Sequence, residues 1–317
     1  MFSVSALGEL LIDFTDAGTS AGGQRLFERN AGGAPANVLV ALEKLGHRTA
    51  FLGKVGCDMH GEFLRATLEE QGIDTTGLVS DPDAFTTLAF VALSPDGERE
   101  FSFARKPGAD TRLTEGELAR DVIAASRVFH VGSLSLTDEP ARSATLAALA
   151  CAREAGCTLS YDPNYRANLW PSVEAAVGQM RAVVPQMDLM KLSDEECELL
   201  TGEKDPEAAA AALLGRGPKV VAVTLGAGGA YVRCADGGAE VAGFPADAVD
   251  ATGAGDSFWG GFLAGFCESG KAAGEVTVED AASFARLGNA VASLCVRRRG
   301  AIPAIPERAD VEALLSE

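Results

Sequence analysis

The segment from Val249 to Gly265 reads Val-Asp-Ala-Thr-Gly-Ala-Gly-Asp-Ser-Phe-Trp-Gly-Gly-Phe-Leu-Ala-Gly. Apolar residues after Asp256 recur at helical spacing, which predicts a helix that begins near this acid. A second face of that helix carries small residues, among them Gly260 and Gly261. Each glycine inside a helix costs roughly 0.5–1 kcal/mol relative to alanine. Close contact with another backbone is therefore the expected reason for the pair.

The loop before this predicted helix places Gly253, Ala254 and Gly255 directly ahead of Asp256. A helix start presents N–H groups with a partial positive charge, and glycines let an anion approach them. A carboxylate there would repel a phosphate unless it takes a proton from the group that attacks phosphorus. The pattern therefore favours phosphoryl transfer to a hydroxyl. The alternative is an ordinary helix with an acidic first turn, since glycine loops before helices are common.

The motif Asp250-Ala-Thr-Gly-Ala-Gly-Asp256 resembles the carboxy-terminal signature of the PfkB (ribokinase-like) carbohydrate kinases. The resemblance implies that Asp256 deprotonates a sugar hydroxyl and that the Gly253–Gly255 amides form an anion hole. A dinucleotide-binding fingerprint is disfavoured, because Phe258 stands where that fingerprint needs a third small residue.

A second segment, Asn30-Ala-Gly-Gly-Ala-Pro-Ala-Asn37, is similar to the amino-terminal signature of the same family. Pro35 suits the first turn of a helix, where its missing N–H costs nothing. The resemblance implies that Gly32, Gly33 and Asn37 line the sugar pocket. Without the resemblance, the segment would indicate a glycine turn before an ordinary helix.

Three charged residues that follow predicted strands are further candidates for substrate contacts. Asp13 matches the family position that binds sugar hydroxyls, and a carboxylate can accept two such hydrogen bonds. Arg105 and Arg166 follow other apolar strands, and ligands gather at the carboxyl ends of strands in α/β sheets. The alternatives are a plain strand-end residue for Asp13 and a solvated side chain for Arg105.

The resemblance also indicates where a nucleotide and magnesium would bind. Ser193 replaces the asparagine of a family Asn-x-x-Glu motif whose acid holds Mg²⁺ through water, so only Glu196 carries that role over. The same pair forms a capping box, which needs no function. Nucleotide contacts are implied at Thr224, Gly226, Gly229 and Asn289. The bland alternative is a hairpin turn for the glycines and an ordinary helical polar residue for Asn289.

Many family members bind a monovalent cation such as K⁺ beside the site. The implied positions in this chain are Asp250, Thr252 and the backbone near Gly300. Ala304 stands where some relatives have a hydroxyl ligand, so this sequence departs from the family pattern there.

Composition limits the class of protein and its partners. The chain has 317 residues, is 47% hydrophobic and carries a net charge of −18, which argues against nucleic acid or an anionic membrane as partner. No apolar run reaches the roughly 20 residues that span a bilayer, and the start does not resemble a signal peptide. Seven scattered cysteines indicate buried thiols in a reducing cytoplasm.

The expected fold is one doubly wound α/β kinase domain over residues 1–317 with a small β-strand lid. The lid is expected from residues 13–30 and 85–105. Two of its strands, Thr86–Leu93 and Arg99–Phe103, would be joined by a turn over Ser94–Glu98.

Further segments, such as Gly132–Leu136 and Ser160–Arg166, are most similar to the fructokinase branch. The resemblance implies transfer of the ATP γ-phosphoryl group to D-fructose, with Mg²⁺ and a small-molecule sugar, and it suggests a homodimer. A 2-keto-3-deoxygluconate kinase is the nearest alternative. A non-catalytic sugar- or nucleotide-binding regulator is the alternative from another class, although a pure binder needs no base.

Overall fold

The structure, a computed structural model, describes residues 1–93 and 99–317, and it describes no side chains from 92 to 101. The predicted turn over Ser94–Glu98 lies outside the described residues. Among the described residues, no helix is both long and apolar enough to cross a membrane.

The centre of the molecule is a nine-stranded sheet. Its strands in chain order are β1 (Phe2–Leu7), β4 (Thr49–Gly56), β5 (Asp74–Asp81), β8 (Ser126–Val131), β9 (Thr158–Tyr161), β10 (Leu189–Ser193), β11 (Val220–Thr224), β12 (Gly229–Cys234) and β13 (Gly237–Ala242). The spatial order is β13-β12-β11-β10-β9-β8-β1-β4-β5. Pairing is parallel from β5 to β11, and β12 and β13 are antiparallel. The carboxyl ends of seven strands therefore meet at one edge of the sheet.

A second, four-stranded sheet stands apart from the central one. It contains β2 (Leu11–Thr19), β3 (Arg25–Gly32), β6 (Leu88–Leu93) and β7 (Arg99–Ala104), in the order β3-β2-β6-β7. The strand β2 pairs with β3 in register from Leu11↔Gly32 to Asp16↔Phe27. We call this sheet the lid sheet.

Helices cover both faces of the central sheet, which confirms the predicted α/β architecture. The first hydrophobic core includes residues of α1 (Ala34–Lys44), α2 (Met59–Glu70), α8 (Ala254–Ser269), α9 (Val278–Cys295) and α10 (Arg308–Ser316). The second includes residues of α3 (Arg120–Ala124), α4 (Ala141–Glu154), α5 (Val173–Val183), α6 (Asp194–Thr201) and α7 (Pro206–Leu214).

The two glycines inside α8 explain how this helix sits between its neighbours. A Cβ on Gly260 would lie 2.9 Å from the carbonyl oxygen of Val38 in α1, and a Cβ on Gly261 would lie 2.8 Å from Gly288 Cα in α9. Any larger residue would push α8 away from both helices. The expected backbone contact is confirmed, and it fixes the position of the amino-terminal end of α8.

Candidate active site

A cavity of about 560 Å³ opens at the carboxyl ends of the parallel strands. It is lined from the lid sheet by Asp13, from α1 by Asn37, from the segment after β9 by Arg166 and from the start of α8 by Asp256. Four elements that are far apart in the chain thus contribute one polar side chain each to the same space.

Asp256 lies in the first turn of α8, with 8% of its surface exposed. Its Oδ2 accepts a 2.8 Å hydrogen bond from Asn37 Nδ2. Burial raises the pKa of this carboxyl, against the opposing effects of the Asn37 hydrogen bond and the nearby Lys191 and Arg166 charges. A buried carboxyl that opens to a cavity and has a raised pKa is suited to accept a proton.

The start of α8 beside Asp256 presents backbone groups and no capping side chain. Gly253 has φ 75°, a left-handed conformation that favours glycine, and no side chain caps the helix. Gly253 and Gly255 both line the cavity, whereas the amide of Ala254 donates to Ala251 O at 3.2 Å. The amino-terminal end of a 16-residue helix therefore borders the cavity with its partial positive charge.

The sugar-side candidates from the sequence meet in one place. A Cβ on Gly32 would collide with the carboxylate of Asp13, so the absence of a side chain at Gly32 leaves room for this carboxylate. Gly33, with φ 127°, precedes α1, whose first turn contains Pro35 as expected. The pKa of Asp13 is raised to about 6, first by burial and then by Asp256, while Arg166 lowers it.

The two candidate arginines have different surroundings. Arg166 is exposed and lines the cavity, and its Nη1 donates to Tyr165 O at 3.0 Å. Arg105 is buried, and its guanidinium donates to Asp110 Oδ2 at 2.8 Å and to Leu134 O at 2.8 Å. A third hydrogen bond joins it to Thr137 Oγ1 at 2.9 Å. Arg105 is not among the residues that line the cavity, and its donors connect the end of β7 to Asp110 and to the segment of residues 134–137.

The sequence did not predict a buried ion pair next to the cavity, of which the lysine lines the wall. Lys191 Nζ lies 2.8 Å from Asp162 Oδ2, and both side chains are nearly inaccessible. A Cβ on Gly255 would lie 3.0 Å from Lys191 Nζ, which places this ammonium group against the start of α8. The available signal was the charged residue inside or directly after two apolar strands, since parallel strands bring such residues together.

The nucleotide-side candidates separate into two groups. Glu196 accepts from Ser193 N at 2.8 Å and from Tyr165 N at 2.7 Å, so the capping box exists and also fastens the loop after β9. Burial is the largest cause of the raised pKa of Glu196. Ser193, Glu196, Thr224 and Gly226 all line the cavity.

Asn289 and Gly229 do not line that cavity. The amide of Asn289 donates to the carbonyl oxygens of Val241 at 3.0 Å and Ala242 at 3.1 Å, and so connects α9 to β13. Gly229 has φ 99°, and a Cβ there would collide with the β13 backbone.

The three residues proposed for a monovalent cation are joined through one carboxylate. Asp250 Oδ1 accepts from Thr252 N at 2.9 Å and from Thr252 Oγ1 at 2.7 Å. Its Oδ2 accepts from Gly300 N at 3.0 Å. The carboxylate therefore ties the loop before α8 to the segment after α9.

Comparison with known proteins agrees with this geometry. The model of the pfkB family carbohydrate kinases matches residues 1–308. A probable fructokinase-5 of Arabidopsis thaliana is 42% identical over 316 residues, which cover 98% of this chain and 97% of the relative.

Solved structures give the same result. The fructokinase of Xylella fastidiosa with bound ATP is 34% identical, with a TM-score of 0.92 over 100% of this chain and 99% of that one. The fructokinase of Vibrio cholerae O395, in a form with bound fructose, ADP and calcium ion, is 33% identical, with a TM-score of 0.88 over 99% of each chain. This chain belongs to the pfkB family of carbohydrate kinases, which transfer a phosphoryl group to a sugar hydroxyl.

Proposed function

We propose that this chain is an ATP-dependent fructokinase that converts D-fructose to D-fructose 6-phosphate. The observation that carries the proposal is the position of Asp256. Its buried carboxyl has a raised pKa and lies in the first turn of α8, within the same cavity as Asp13. The fructokinase similarity over nearly the whole chain supports fructose as the acceptor.

In the proposed reaction, Asp256 removes the proton from the primary hydroxyl of the sugar. The sugar oxygen forms a bond to the γ-phosphorus of ATP as the bond to the bridging β–γ oxygen breaks, and ADP leaves. The helix start at Gly253–Gly255 stabilises the equatorial oxygens of the migrating group. Lys191, held against Gly255, adds a full positive charge to that end of the cavity.

Magnesium, when bound with ATP, would offset the negative charge of the phosphates. Among the described residues, no group of three or more His, Cys, Asp or Glu side chains could hold a metal ion. Mg²⁺ needs no such group, because it keeps several waters and takes one or two carboxylates plus substrate phosphates. Glu196, which lines the cavity, would reach it through water.

We place the sugar between the lid sheet and α8. Asp13 accepts its hydroxyl hydrogen bonds, the Gly32–Gly33 turn brings backbone close, and Asn37 orients Asp256. Arg166, which is exposed to solvent and lines the cavity, lies on the solvent side of the sugar. Closure of the lid sheet would exclude water, which otherwise competes as acceptor.

Several finer points belong to the proposal. We infer K⁺ binding at Asp250, Thr252 and Gly300, because the Asp250 carboxylate already gathers that loop. We infer ATP contacts at Thr224 and Gly226.

Seven free cysteines support a reducing, cytoplasmic location. The net charge of −18 disfavours nucleic acid and anionic membranes as partners.

We also propose a homodimer that forms through the lid sheet. Leu26, Phe27 and Phe90 on its strands are 45%, 40% and 36% exposed, and Phe27 packs edge-on against Phe90. A second copy would cover this apolar face. Light scattering on a size-exclusion column should show a dimer, and Phe27→Glu should convert it to a monomer.

The test of the function is ADP release with a panel of acceptors: fructose, 2-keto-3-deoxygluconate, ribose and nucleosides. We expect fructose to give the highest kcat/KM. The carboxylate of 2-keto-3-deoxygluconate would meet the acidic Asp13 and Asp256, with Arg166 and the Asp162-paired Lys191 as the cationic residues of the lining. No acceptor-dependent ADP release by the folded protein would favour the non-catalytic regulator, and a preference for the keto acid would reverse the substrate assignment.

A further inference from the structure

The proposal concerns Glu9, a carboxyl in the cavity wall that the reaction scheme above does not use. Glu9 lies between β1 and β2, lines the cavity and is only 3% exposed. Its Oε1 accepts a 2.9 Å hydrogen bond from Ala34 N, at the start of α1. Its Oε2 is buried without a hydrogen-bond partner among the described residues. A buried carboxyl with one oxygen unpaired destabilises the folded state. Such a group in a native structure therefore calls for a specific explanation.

The surroundings show what this carboxyl holds together. A Cβ on Gly8 would lie 2.5 Å from Pro35 Cγ, and a Cβ on Gly33 would collide with the carbonyl oxygen of Glu9. The segment before β2 and the turn before α1 are thus pressed against each other. The hydrogen bond from Ala34 N to Glu9 is the polar link across this contact.

Each of these two segments leads to a residue of the proposed sugar site. The segment of Glu9 continues into β2, which carries Asp13, and the turn at Ala34 opens α1, which carries Asn37. Asn37 in turn donates to Asp256. We propose that Glu9 is a positioning residue for the sugar site, which sets the distance between Asp13 and the Asn37–Asp256 pair through its hold on Ala34. The inference rests on the proposed sugar kinase activity.

The charge state of Glu9 gives the proposal a measurable signature. Burial raises the pKa of this carboxyl to about 7, with Asp110 raising and Arg105 lowering it at the base of the lid sheet. The residues Ala34–Asn37 on the α1 side carry no charge, and Asp13 and Asp256 line the same cavity. An ionised acceptor forms a stronger hydrogen bond with the Ala34 amide than a neutral one. The hydrogen bond from Ala34 N to Glu9 should therefore weaken as pH falls through about 7.

Three variants test this. Glu9→Gln keeps the acceptor oxygen and the shape but is always neutral, so it mimics the protonated acid. Glu9→Ala removes the link. Glu43→Gln is the matched control, because Glu43 also accepts a backbone hydrogen bond, from Thr49 N at 2.6 Å, but does not line the cavity.

The measurement is KM for the sugar and for ATP between pH 6 and pH 8, using the acceptor that gives the highest wild-type turnover. For Glu9→Gln we expect a sugar KM about five- to tenfold above wild type at pH 8, converging toward wild type near pH 6. For Glu9→Ala we expect about a ten- to hundredfold rise at both pH values, with KM for ATP changed less than threefold. Glu43→Gln should behave as wild type.

Three results would overturn the inference: a pH-independent ratio between Glu9→Gln and wild type, equal rises in both KM values for Glu9→Ala, or the same changes in Glu43→Gln. Thermal unfolding of each variant shows whether Glu9→Ala still folds, and Glu9→Gln decides the question if it does not. Because the wild type selects the acceptor, a sugar other than fructose would contradict the proposed substrate without touching this inference.

Discussion

Asn37 Nδ2 donates a 2.8 Å hydrogen bond to Asp256 Oδ2, across 219 positions of the chain. The contact joins the first turn of α1 to the first turn of α8, so two helix starts meet at the candidate base. One oxygen of Asp256 is thereby held in place. In the proposed reaction, the other oxygen, Oδ1, takes the proton of the acceptor hydroxyl.

Asp256→Asn should lower kcat by about 10²–10⁴, the usual effect of removing a positioned general base. The asparagine preserves size but cannot take the proton, so both KM values should change much less than kcat. Stopped-time assays of ADP release measure the effect. Glu268→Gln, at the other end of α8, is the control and should retain wild-type turnover. Near-normal turnover of a folded Asp256→Asn protein would contradict the assignment.

Asp13→Ala should raise KM for the sugar at least tenfold and KM for ATP less than threefold, because Asp13 lies on the lid-sheet side of the cavity. Losing hydrogen bonds to a charged acceptor accounts for an effect of this size. The two values come from the same coupled assay with one substrate varied at a time. Equal effects on both substrates would show that Asp13 supports the fold of the site and does not contact the sugar.

Asp13→Asn should make the unliganded protein more stable at pH 8. The folded-state pKa of Asp13 is raised to about 6 from the ordinary 3.8, so the folded state binds the proton more tightly than the unfolded state. The ionised Asp13 carboxylate therefore lowers the free energy of unfolding at pH 8. This penalty decreases as pH falls through about 6, where the folded protein takes up the proton. We expect the melting temperature of the variant to rise by about 1–3 °C at pH 8. The difference should disappear near pH 4, and a variant that melts lower than wild type at pH 8 would contradict the prediction.

Lys191→Met should destabilise the protein strongly, by about 3–5 kcal/mol, because it leaves the Asp162 carboxylate buried without its partner. The double variant Lys191→Met, Asp162→Asn should recover much of that stability in urea titrations. Its turnover should stay low if Lys191 also neutralises the migrating phosphoryl group. Recovery of turnover together with stability would limit the pair to a structural role.

The chain order of strands and helices was predictable because apolar runs alternate with glycine-ended helical patterns. The local motifs around Asp256 and Asn37 were predictable for the same reason, since each carries its signal within a few residues. Pairings between distant segments were not. Asp162 and Lys191 meet because β9 and β10 are parallel neighbours, with Tyr161 opposite Met190, and no local pattern states which strands are neighbours.

Arg105 is a second example of a contact between distant segments that the sequence did not show. Its position after a lid strand suggested a substrate contact, but the sequence does not reveal that Asp110 and the carbonyl oxygen of Leu134 take its donors. Asn289 and Gly229 were assigned through the resemblance; the amide of Asn289 donates to β13 carbonyl oxygens, and Gly229 pairs with Ala242 of β13. A residue type and its position along the chain predict what a side chain can bind, whereas the packing decides which partner is close enough.

The strand β2 carries Asp13 near its first residue and continues outward into the lid sheet, where Phe14 stacks on Phe90 at 5.2 Å. The carboxylate we assign to the sugar and the cover over the cavity are therefore parts of one strand. Any tilt of the cover moves this carboxylate, so occupancy of the sugar site and closure over it are mechanically linked. Substitutions in the outer half of β2, far from the sugar itself, should then change the affinity for the acceptor sugar.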